Sequence, residues 1–427
     1  MPFDYLAARE ENMALCGPSP QILPWRKLMT KKRFGALSVL TVIALAISTL
    51  VAPAQAASKN LVIWADAGKA PWVKKAAAPW ATANGVTINV VVKDFGKVRD
   101  ELITGGPKGL GPDLIVGPHD WLGQVVASGA LARMTNLNKG AFAGPVLDAM
   151  SYKGLVYGIP LYVENVALIV NTDLVPTAPK TLTELETQCA ALKAAGKIKV
   201  CLEIPPGDSY HMYPLFTALG GYVFGWKNGF WNTKDLGIAS KTFLANASKI
   251  DTYYKDGILS KDSGYEFTQW FAGKAAYMVT GPWNIGNLKK QTSVKYSIVP
   301  FPSGPAQSRP FMGVNGMYIS KFAKNAVVAR SFLSNYAASS EFQTALFKES
   351  GIAPALLDAQ SDPAVTASKE IAGFASFSGV AQPMPNIPQM GSVWGDWGNA
   401  WTTVSTAKVT AAAAFTLAAT NIKKAVG

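Results

Sequence analysis

The segment Asn60-Leu-Val-Ile-Trp64 is the first of several short apolar runs separated by helix-forming stretches. Two further runs rich in β-branched residues, at 86–92 and 113–116, are predicted strands. The helical pattern at 72–78 should end or kink at Pro79. Strands that alternate with helices predict an α/β fold with a mainly parallel sheet, in which ligands bind beyond the carboxyl ends of the strands.

The residues before this first strand are typical of a secretory leader. Met29-Thr-Lys-Lys-Arg33 is basic, the run 37–51 is apolar, and Ala54-Gln-Ala56 matches an A-x-A cleavage signal. We expect residues 1–56 to be removed and the mature protein to be extracytoplasmic, in the periplasm or at the cell exterior. A retained membrane anchor is the alternative, since the uncharged run could span a bilayer. The absence of a Cys at the cleavage site argues against a lipoprotein anchor.

About 370 residues remain after the leader, which suggests two domains. An extended apolar segment at 157–164 leads into a new strand at 166–171. The Pro/Gly-rich segment 300–305 precedes another strand at 313–319. We interpret these two places as crossings at which the chain leaves the first domain and returns to it.

The whole chain has a formal net charge of +13. A basic protein could bind an anionic partner, such as a membrane surface or a nucleic acid. The sequence shows no basic run with interleaved aromatic residues, and an exported chain rarely meets nucleic acid. We therefore interpret the charge as a solubilising surface and expect no nucleic-acid partner.

Two cysteines, Cys189 and Cys201, remain after the leader. In an exported protein they are expected to form one disulfide, which would pin a predicted helix at 182–195 to the next strand. Two free buried thiols are the alternative. Thiol catalysis is disfavoured, because His211 is the only nearby candidate base.

The motifs of several enzyme classes are missing from the sequence. It contains no HExxH, paired CxxC, G-x-S-x-G, Walker loop or G-x-G-x-x-G at a strand end, and only two histidines, His119 and His211. We expect no metal site and no cofactor. A glycosidase remains open, because it needs only two carboxylates.

Carboxylates beside aromatic residues recur at predicted loops. A sugar ring has an apolar face that packs on an aromatic ring and hydroxyls that carboxylates can bind, so such pairs suit a sugar. A cationic solute, such as a polyamine, or ordinary surface charges would explain them as well. The pairs are Trp64 and Asp66, Asp120 and Trp121, Tyr162 and Glu164, and Asp208 and Tyr210, with Trp283 in Gly281-Pro-Trp283.

Three tryptophans close to the C-terminus, Trp394, Trp397 and Trp401, fall on one face of a predicted helix. Such a stripe is usually core packing. Gly398 lies on the same face and leaves a gap for a close neighbour or a ligand. We expect Trp394 to face a ligand and the other two to lie in the core.

Met384-Pro-Asn-Ile-Pro-Gln-Met390, followed four residues later by Trp394, resembles the maltose/maltodextrin-binding proteins of bacterial ABC importers. The resemblance covers residues 59–427. Further matching segments, in order, are Leu61-Val-Ile-Trp64, Gly111-Pro-Asp113, His119-Asp120, Tyr157-Gly-Ile-Pro160, Val163-Glu164, Gly220-Gly-Tyr222, Phe271-Ala-Gly-Lys-Ala-Ala-Tyr-Met278, Gly281-Pro-Trp283 and Phe311-Met-Gly-Val314.

The resemblance implies a two-lobed, type II periplasmic-binding-protein fold, each lobe a mainly parallel sheet flanked by helices, with a ligand cleft between. Lobe 1 would comprise 57–162 and 317–362, and lobe 2 167–311 and 364–427. The hinge segments would lie near 163–166 and 312–316.

The resemblance also implies a set of ligand-binding residues. Asp208 takes the place of a family acid, and Asp66 stands where the family often has an amide. Trp121 replaces an Arg, which puts maltose itself in doubt and leaves a longer or cyclic α-glucan or trehalose open. The residues that match sugar-contacting positions directly are Lys69, Asp120, Glu164, Tyr210, Trp283 and Trp394.

Our interpretation is a monomeric sugar receptor, not an enzyme, that delivers its ligand to the permease of an ABC importer. The first alternative is a glycan-degrading enzyme that uses a carboxylate pair such as Asp120 and Glu164. The second is a binding protein for a cationic solute.

Overall fold

The computed structural model describes residues 60–227 and 229–427, so the predicted signal peptide lies outside the described residues. In this part of the chain no helix is long and apolar enough to cross a membrane. The β-strands are β1 (Asn60–Asp66), β2 (Thr87–Lys93), β3 (Leu114–Pro118), β4 (Ser151–Tyr152), β5 (Leu155–Val156), β6 (Gly158–Glu164), β7 (Ala167–Asn171), β8 (Val200–Glu203), β9 (Phe224–Lys227), β10 (Phe230–Leu236), β11 (Ala275–Thr280), β12 (Tyr296–Val299), β13 (Phe311–Ile319) and β14 (Gln382–Pro383).

The helices alternate with these strands in the first half and dominate after β13. Short 3₁₀ turns at His119–Trp121 and Pro282–Asn284 follow β3 and β11, and another at Pro388–Ser392 precedes a long helix. The α-helices are α1 (Ala70–Asn84), α2 (Phe95–Gly105), α3 (Leu122–Ala127), α4 (Gly144–Ala149), α5 (Leu182–Ala194), α6 (Ser209–Ala218), α7 (Lys241–Asn246), α8 (Ser248–Lys255), α9 (Thr268–Phe271), α10 (Ile285–Lys290), α11 (Ala326–Phe332), α12 (Ser340–Ser350), α13 (Leu357–Gln360), α14 (Pro363–Thr366), α15 (Lys369–Ser378), α16 (Trp394–Ser405) and α17 (Ala411–Val426).

The larger sheet is built around β1, which pairs in parallel with β2 and β3. The long strand β13 pairs antiparallel with β3 and with β6, and its first residues pair in parallel with β14. Strands β1, β2 and β3 therefore form the parallel sheet predicted from the sequence. Strand β13 runs antiparallel to β3 and β6, which the sequence did not predict.

The second sheet has the order β12-β7-β11-β8. Only β11 and β8 pair in parallel; β7 is antiparallel to both β11 and β12. The prediction of a mainly parallel sheet is therefore wrong here. Strand β7 follows β6 after only Asn165 and Val166, and it runs opposite to the other three strands of this sheet.

Two hydrophobic clusters surround the two sheets. The first core contains Ile63, Ile115 and Met317 around the larger sheet, and the second contains Leu168 and Met278 around the smaller one. Core membership changes along the chain between Tyr162 and Val166, between Phe311 and Val314, and again between Ala359 and Phe374.

The helix was expected to end or kink at Pro79; α1 continues through this proline to Asn84, so it does not end there. Val73, Ala76 and Ala77 on its inner face are buried in the first core. This tertiary packing outweighs the backbone hydrogen bond that the proline removes. The helix ends instead at Gly85, whose φ of 60° lies in the left-handed region that suits glycine.

Cys189 of α5 and Cys201 of β8 form a disulfide, with their Cα atoms 5.5 Å apart. The bond closes a loop with a sequence separation of 12 and ties the helix to the second sheet. Both cysteines are buried, at 3% and 1% exposure.

Replacing both cysteines by serine is expected to lower the free energy of unfolding by roughly 3 kcal/mol, because the unfolded chain gains conformational freedom when the loop opens. Urea denaturation of the oxidised protein and the double variant measures this. Ligand affinity of the folded variant should not change, since neither cysteine lines the cavity described below. A denaturation midpoint equal to that of the disulfide-bonded parent would contradict the stabilising role.

Candidate functional site

A cavity of about 660 Å³ brings together residues from both cores. Its volume lies within the range of about 300–1,000 Å³ that is usual for small-molecule sites. Its polar side chains come mainly from two places. Asp66, Lys69, Asp120 and Glu164 lie at the ends of β1, β3 and β6 or in the turns that follow them, and Asp208, Ser209, Tyr210 and His211 lie in the loop after β8 and the start of α6. All nine residues singled out from the sequence line it: Asp66, Lys69, Asp120, Trp121, Glu164, Asp208, Tyr210, Trp283 and Trp394.

Asp66 and Lys69 form the turn that joins β1 to α1. Asp66 Oδ1 accepts hydrogen bonds from the backbone N–H groups of Gly68 (3.0 Å) and Lys69 (3.2 Å). Its Oδ2 is paired with Lys69 Nζ. Lys69 also lies over the ring of Phe95, 4.9 Å from its centroid. The pair therefore presents a neutralised, well-fixed polar edge to the cavity.

Asp120 and Trp121 lie in the 3₁₀ turn after β3. The turn is held by His119, whose Nε2 lies 3.0 Å from Met384 O and whose Nδ1 lies 3.1 Å from Val314 N. These contacts fit a neutral ring protonated at Nε2, and burial lowers the pKa of His119 to about 4. Gly117 is required behind the turn, because a Cβ atom there would lie 2.3 Å from the Trp121 ring.

Two carboxyl groups of the cavity wall, those of Asp120 and Glu164, have raised pKa values. Burial raises the pKa of Asp120 to about 6, against a hydrogen bond from Trp394 and the positive charge of Arg99. Burial raises the pKa of Glu164 to about 7, against the charge of Lys69 and a hydrogen bond from Asn315 Nδ2 to Oε1 of 2.8 Å. These carboxylates are short of hydrogen-bond donors, so a ligand with hydroxyl groups could supply them.

Asp208 is the N-cap of α6 and uses both oxygens within the protein. Oδ1 accepts from the backbone N–H groups of Tyr210 (2.9 Å) and His211 (3.1 Å). Oδ2 accepts from His211 Nδ1 (2.7 Å) and Tyr265 Oη (2.8 Å). Although burial opposes the carboxylate, these partners hold the pKa of Asp208 below its usual range. Both oxygens of Asp208 are therefore already engaged by groups of the protein.

Gly207 and Gly398 allow the loop before α6 to lie against α16. A Cβ atom on Gly398 would lie 2.7 Å from Gly207 O. Gly207 has a φ of 87°, and a Cβ there would lie 2.4 Å from Thr402 Oγ1. The gap that the sequence indicated beside the tryptophan stripe is thus filled by backbone.

Two aromatic side chains of the cavity wall, Tyr210 and Trp283, contact each other, and Tyr210 also stacks on Phe311. The centroid of Tyr210 lies 6.0 Å from that of Trp283 and 5.8 Å from that of Phe311. Trp283 packs against both cores. Gly281 leaves room for it, since a Cβ there would lie 2.1 Å from its ring.

Trp394 begins α16 and bridges the cavity. It packs against the second core, and its Nε1–H donates to Asp120 Oδ2 at 2.9 Å. Its ring stacks on Trp397 at a centroid distance of 5.8 Å. Trp397 and Trp401 are fully buried in the second core, at 0% exposure each. The stripe is therefore divided as expected, with only its first ring at the cavity.

Several further residues line the cavity that the sequence did not single out. Asn315 could be identified as a cavity residue only once the strand register was known, because the pairing of β13 with β6 places it opposite Tyr162. Phe95 follows the end of β2 and could have been found from its place after a strand. Further lining residues include Trp72, Arg99 and Tyr265, as well as His211, which the sequence suggested only as a candidate catalytic base.

Four polar atoms of residues that line the cavity are buried without a hydrogen-bond partner among the described residues. They are Ser209 Oγ, Tyr210 Oη, His211 Nε2 and Asn315 Oδ1. Buried polar groups in native proteins are nearly always paired. Their clustering here indicates a place for a polar ligand.

A cavity at the strand ends of an α/β chain is typical of a small-molecule site. The chain belongs to the bacterial extracellular solute-binding proteins, whose family model matches residues 75–373. This confirms the family expected from the sequence.

Curated relatives match most of the chain. It is 30% identical over 383 residues to "Maltodextrin-binding protein MdxE" of Bacillus subtilis (strain 168), which covers 86% of this chain and 91% of that protein. Over 372 residues it is 29% identical to the "Galactooligosaccharide-binding protein" of the same organism, with 83% and 87% covered. It is 28% identical over 397 residues to a "Maltooligosaccharide ABC transporter solute-binding lipoprotein" of Streptococcus pneumoniae (strain ATCC BAA-255 / R6), with 86% and 91% covered.

Proposed function

We propose that this protein is the extracytoplasmic sugar receptor of an ABC importer and binds maltose, a maltodextrin or a related α-glucoside. The observation that carries the proposal is the cavity in which aromatic rings, carboxyl groups and unpartnered polar atoms meet. An aromatic wall beside hydrogen-bond acceptors suits a sugar ring with its apolar face and its hydroxyls. The names of the relatives point to the same class of ligand.

We propose that binding acts through closure of two lobes. The boundaries would be those given above, with lobe 1 at 57–162 and 317–362, lobe 2 at 167–311 and 364–427, and hinges near 163–166 and 312–316. The change of core membership at the hinge segments supports this division. A ligand that touches both lobes favours the closed state by its differential affinity.

In this proposal the ligand stacks on Trp283, Trp394 and Tyr210, and Trp121 adds a second ring surface across the cavity. Asp120 and Glu164 accept hydrogen bonds from its hydroxyls. A hydrogen bond to a charged group contributes about 1.5–3 kcal/mol. A few of these, with stacking, suffice for micromolar affinity, about −8 kcal/mol, after the costs of binding.

The closed form would deliver its sugar to membrane permease subunits and act as a monomer without a cofactor. The leader at 1–56 would be cleaved, which leaves no cysteine for a lipid anchor at the cleavage site. The extracellular nature of the family supports export.

Affinity for maltotriose should fall as the pH drops from about 8 to about 5. Ligand hydroxyls bind the ionised carboxyl groups, so binding must remove protons once the pH is below the raised pKa of Glu164, about 7, and then of Asp120, about 6. Titration calorimetry in two buffers of different ionisation enthalpy should detect the released protons. Glu164→Gln should abolish the part of this pH dependence that lies near pH 7, the raised pKa of Glu164. An affinity that is constant over this range would contradict the role of the two carboxylates.

A glycan-degrading enzyme is the second candidate, because two carboxyl groups with raised pKa values also suit general acid catalysis. Prolonged incubation with maltotriose, followed by product chromatography and equilibrium dialysis, separates the two. A receptor binds maltotriose and returns it intact. Appearance of maltose and glucose that is lost in Glu164→Gln would overturn the receptor proposal.

A further inference from the structure

His211 is a buried side chain at the cavity whose second nitrogen has no partner. The residue is 4% exposed, lies in the first turn of α6 and lines the cavity. Its Nε2 makes no hydrogen bond within the described part of the chain. A buried polar atom left in this state is costly, so it needs a partner that the free protein does not provide.

The protonation of the ring follows from its contact with Asp208. His211 Nδ1 lies 2.7 Å from Asp208 Oδ2, and a carboxylate oxygen can only accept a hydrogen bond. Nδ1 therefore carries a proton. In the neutral imidazole this leaves Nε2 as an acceptor with a free lone pair.

The ring is also fixed in direction. It meets Trp283 edge to face at 5.5 Å and Tyr265 at 5.7 Å, and Phe267 lies 6.4 Å away. Tyr265 is itself held by its hydrogen bond to Asp208 Oδ2. The direction of the ring, and with it the direction of Nε2, is therefore set by its neighbours.

We propose that His211 contacts the ligand and that its Nε2 accepts a hydrogen bond from a sugar hydroxyl, with Asp208 as the positioning residue that sets the tautomer. The inference rests on the proposed function and adds to it. The cleft then selects ligands that place a hydroxyl donor at this point, and it discriminates against sugars that lack that hydroxyl.

The chain contains only two histidines, and the structure gives them opposite tautomers. His119 is protonated at Nε2, with both nitrogens already bonded, whereas His211 is protonated at Nδ1. In the full chain labelled with ¹⁵N-histidine, the two rings should therefore give distinct patterns. His211→Phe identifies the signals of His211.

On saturation with maltotriose, we expect the His211 Nε2 resonance to move to its hydrogen-bonded position. The resonances of His119 should hardly move, which makes that ring an internal control. Binding of maltotriose with no change at His211 Nε2 would overturn the inference and leave the receptor proposal standing. Absence of binding by any α-glucan would overturn both.

Affinity measurements with variants give a second readout. His211→Phe keeps a ring but removes both nitrogens, and we expect it to weaken maltotriose binding about tenfold or more, which is about 1.4 kcal/mol. His211→Gln can place an amide oxygen near the Nε2 position and should recover part of the loss. Equal losses in Phe and Gln variants that both melt like the parent would contradict an acceptor role.

Asp208→Asn tests the positioning role separately. An asparagine still caps α6, but an amide nitrogen in place of Oδ2 would make Nδ1 the acceptor and move the ring proton to Nε2. The ¹⁵N pattern of His211 should then become that of His119, with a similar loss of affinity. A variant that keeps the Nδ1–H pattern and the parent's affinity would contradict the assignment.

Discussion

Trp394→Ala is expected to weaken binding of maltotriose at least about tenfold, about 1.4 kcal/mol, while leaving the melting temperature close to that of the parent. The substitution removes a stacking surface and the Nε1–H donor to Asp120. Trp394 is only partly buried at the start of α16, so the fold loses little. Titration calorimetry and a melting curve on the same sample measure both effects.

Two further variants make this result specific. Trp394→Phe keeps a ring but not the hydrogen bond and should bind with intermediate affinity. Trp283→Ala should also lose at least about tenfold, because this ring packs against both cores beside Tyr210. Unchanged affinity in both alanine variants would remove the stacking mechanism.

Trp397→Ala, one turn further along α16, is expected to lower the stability of the fold and to leave ligand affinity nearly unchanged. Its ring is fully buried among Tyr213, Phe216 and Phe311, so removal leaves a large cavity in the second core. We expect the free energy of unfolding to fall by about 3–5 kcal/mol. Urea denaturation followed by circular dichroism measures the loss.

The folded fraction of Trp397→Ala should still bind maltotriose with affinity within a few-fold of the parent's, since Trp397 does not line the cavity. A loss of stability below about 1 kcal/mol would mean that the second core does not depend on this ring. Together the two tryptophan variants separate a functional ring from a structural one three residues away.

Much of the site could be predicted from the sequence because its residues follow short apolar strands. Asp66, Asp120, Glu164 and Trp283 all lie at or just beyond strand ends, where parallel strands gather their loops. That the three tryptophans of the stripe share one helical face was also predictable from their spacing. These signals are local, so a single sequence contains them.

Other features depended on tertiary structure. Strand β7 runs antiparallel to β11 and β12, which apolar patterning does not reveal. Helix α1 passes Pro79 because its inner face is buried in the first core. The hydrogen bonds of Asp208 and the free Nε2 of His211 depend on atoms brought together by folding.

The most direct test of the central claim is a calorimetric titration of the exported protein with maltose, maltotriose, a cyclodextrin, trehalose and spermidine. The account predicts micromolar binding of at least one α-glucoside, release of protons near neutral pH and no binding of spermidine. If no sugar binds, whether or not spermidine does, the result would contradict the sugar-receptor proposal and mean that this cavity binds another class of solute.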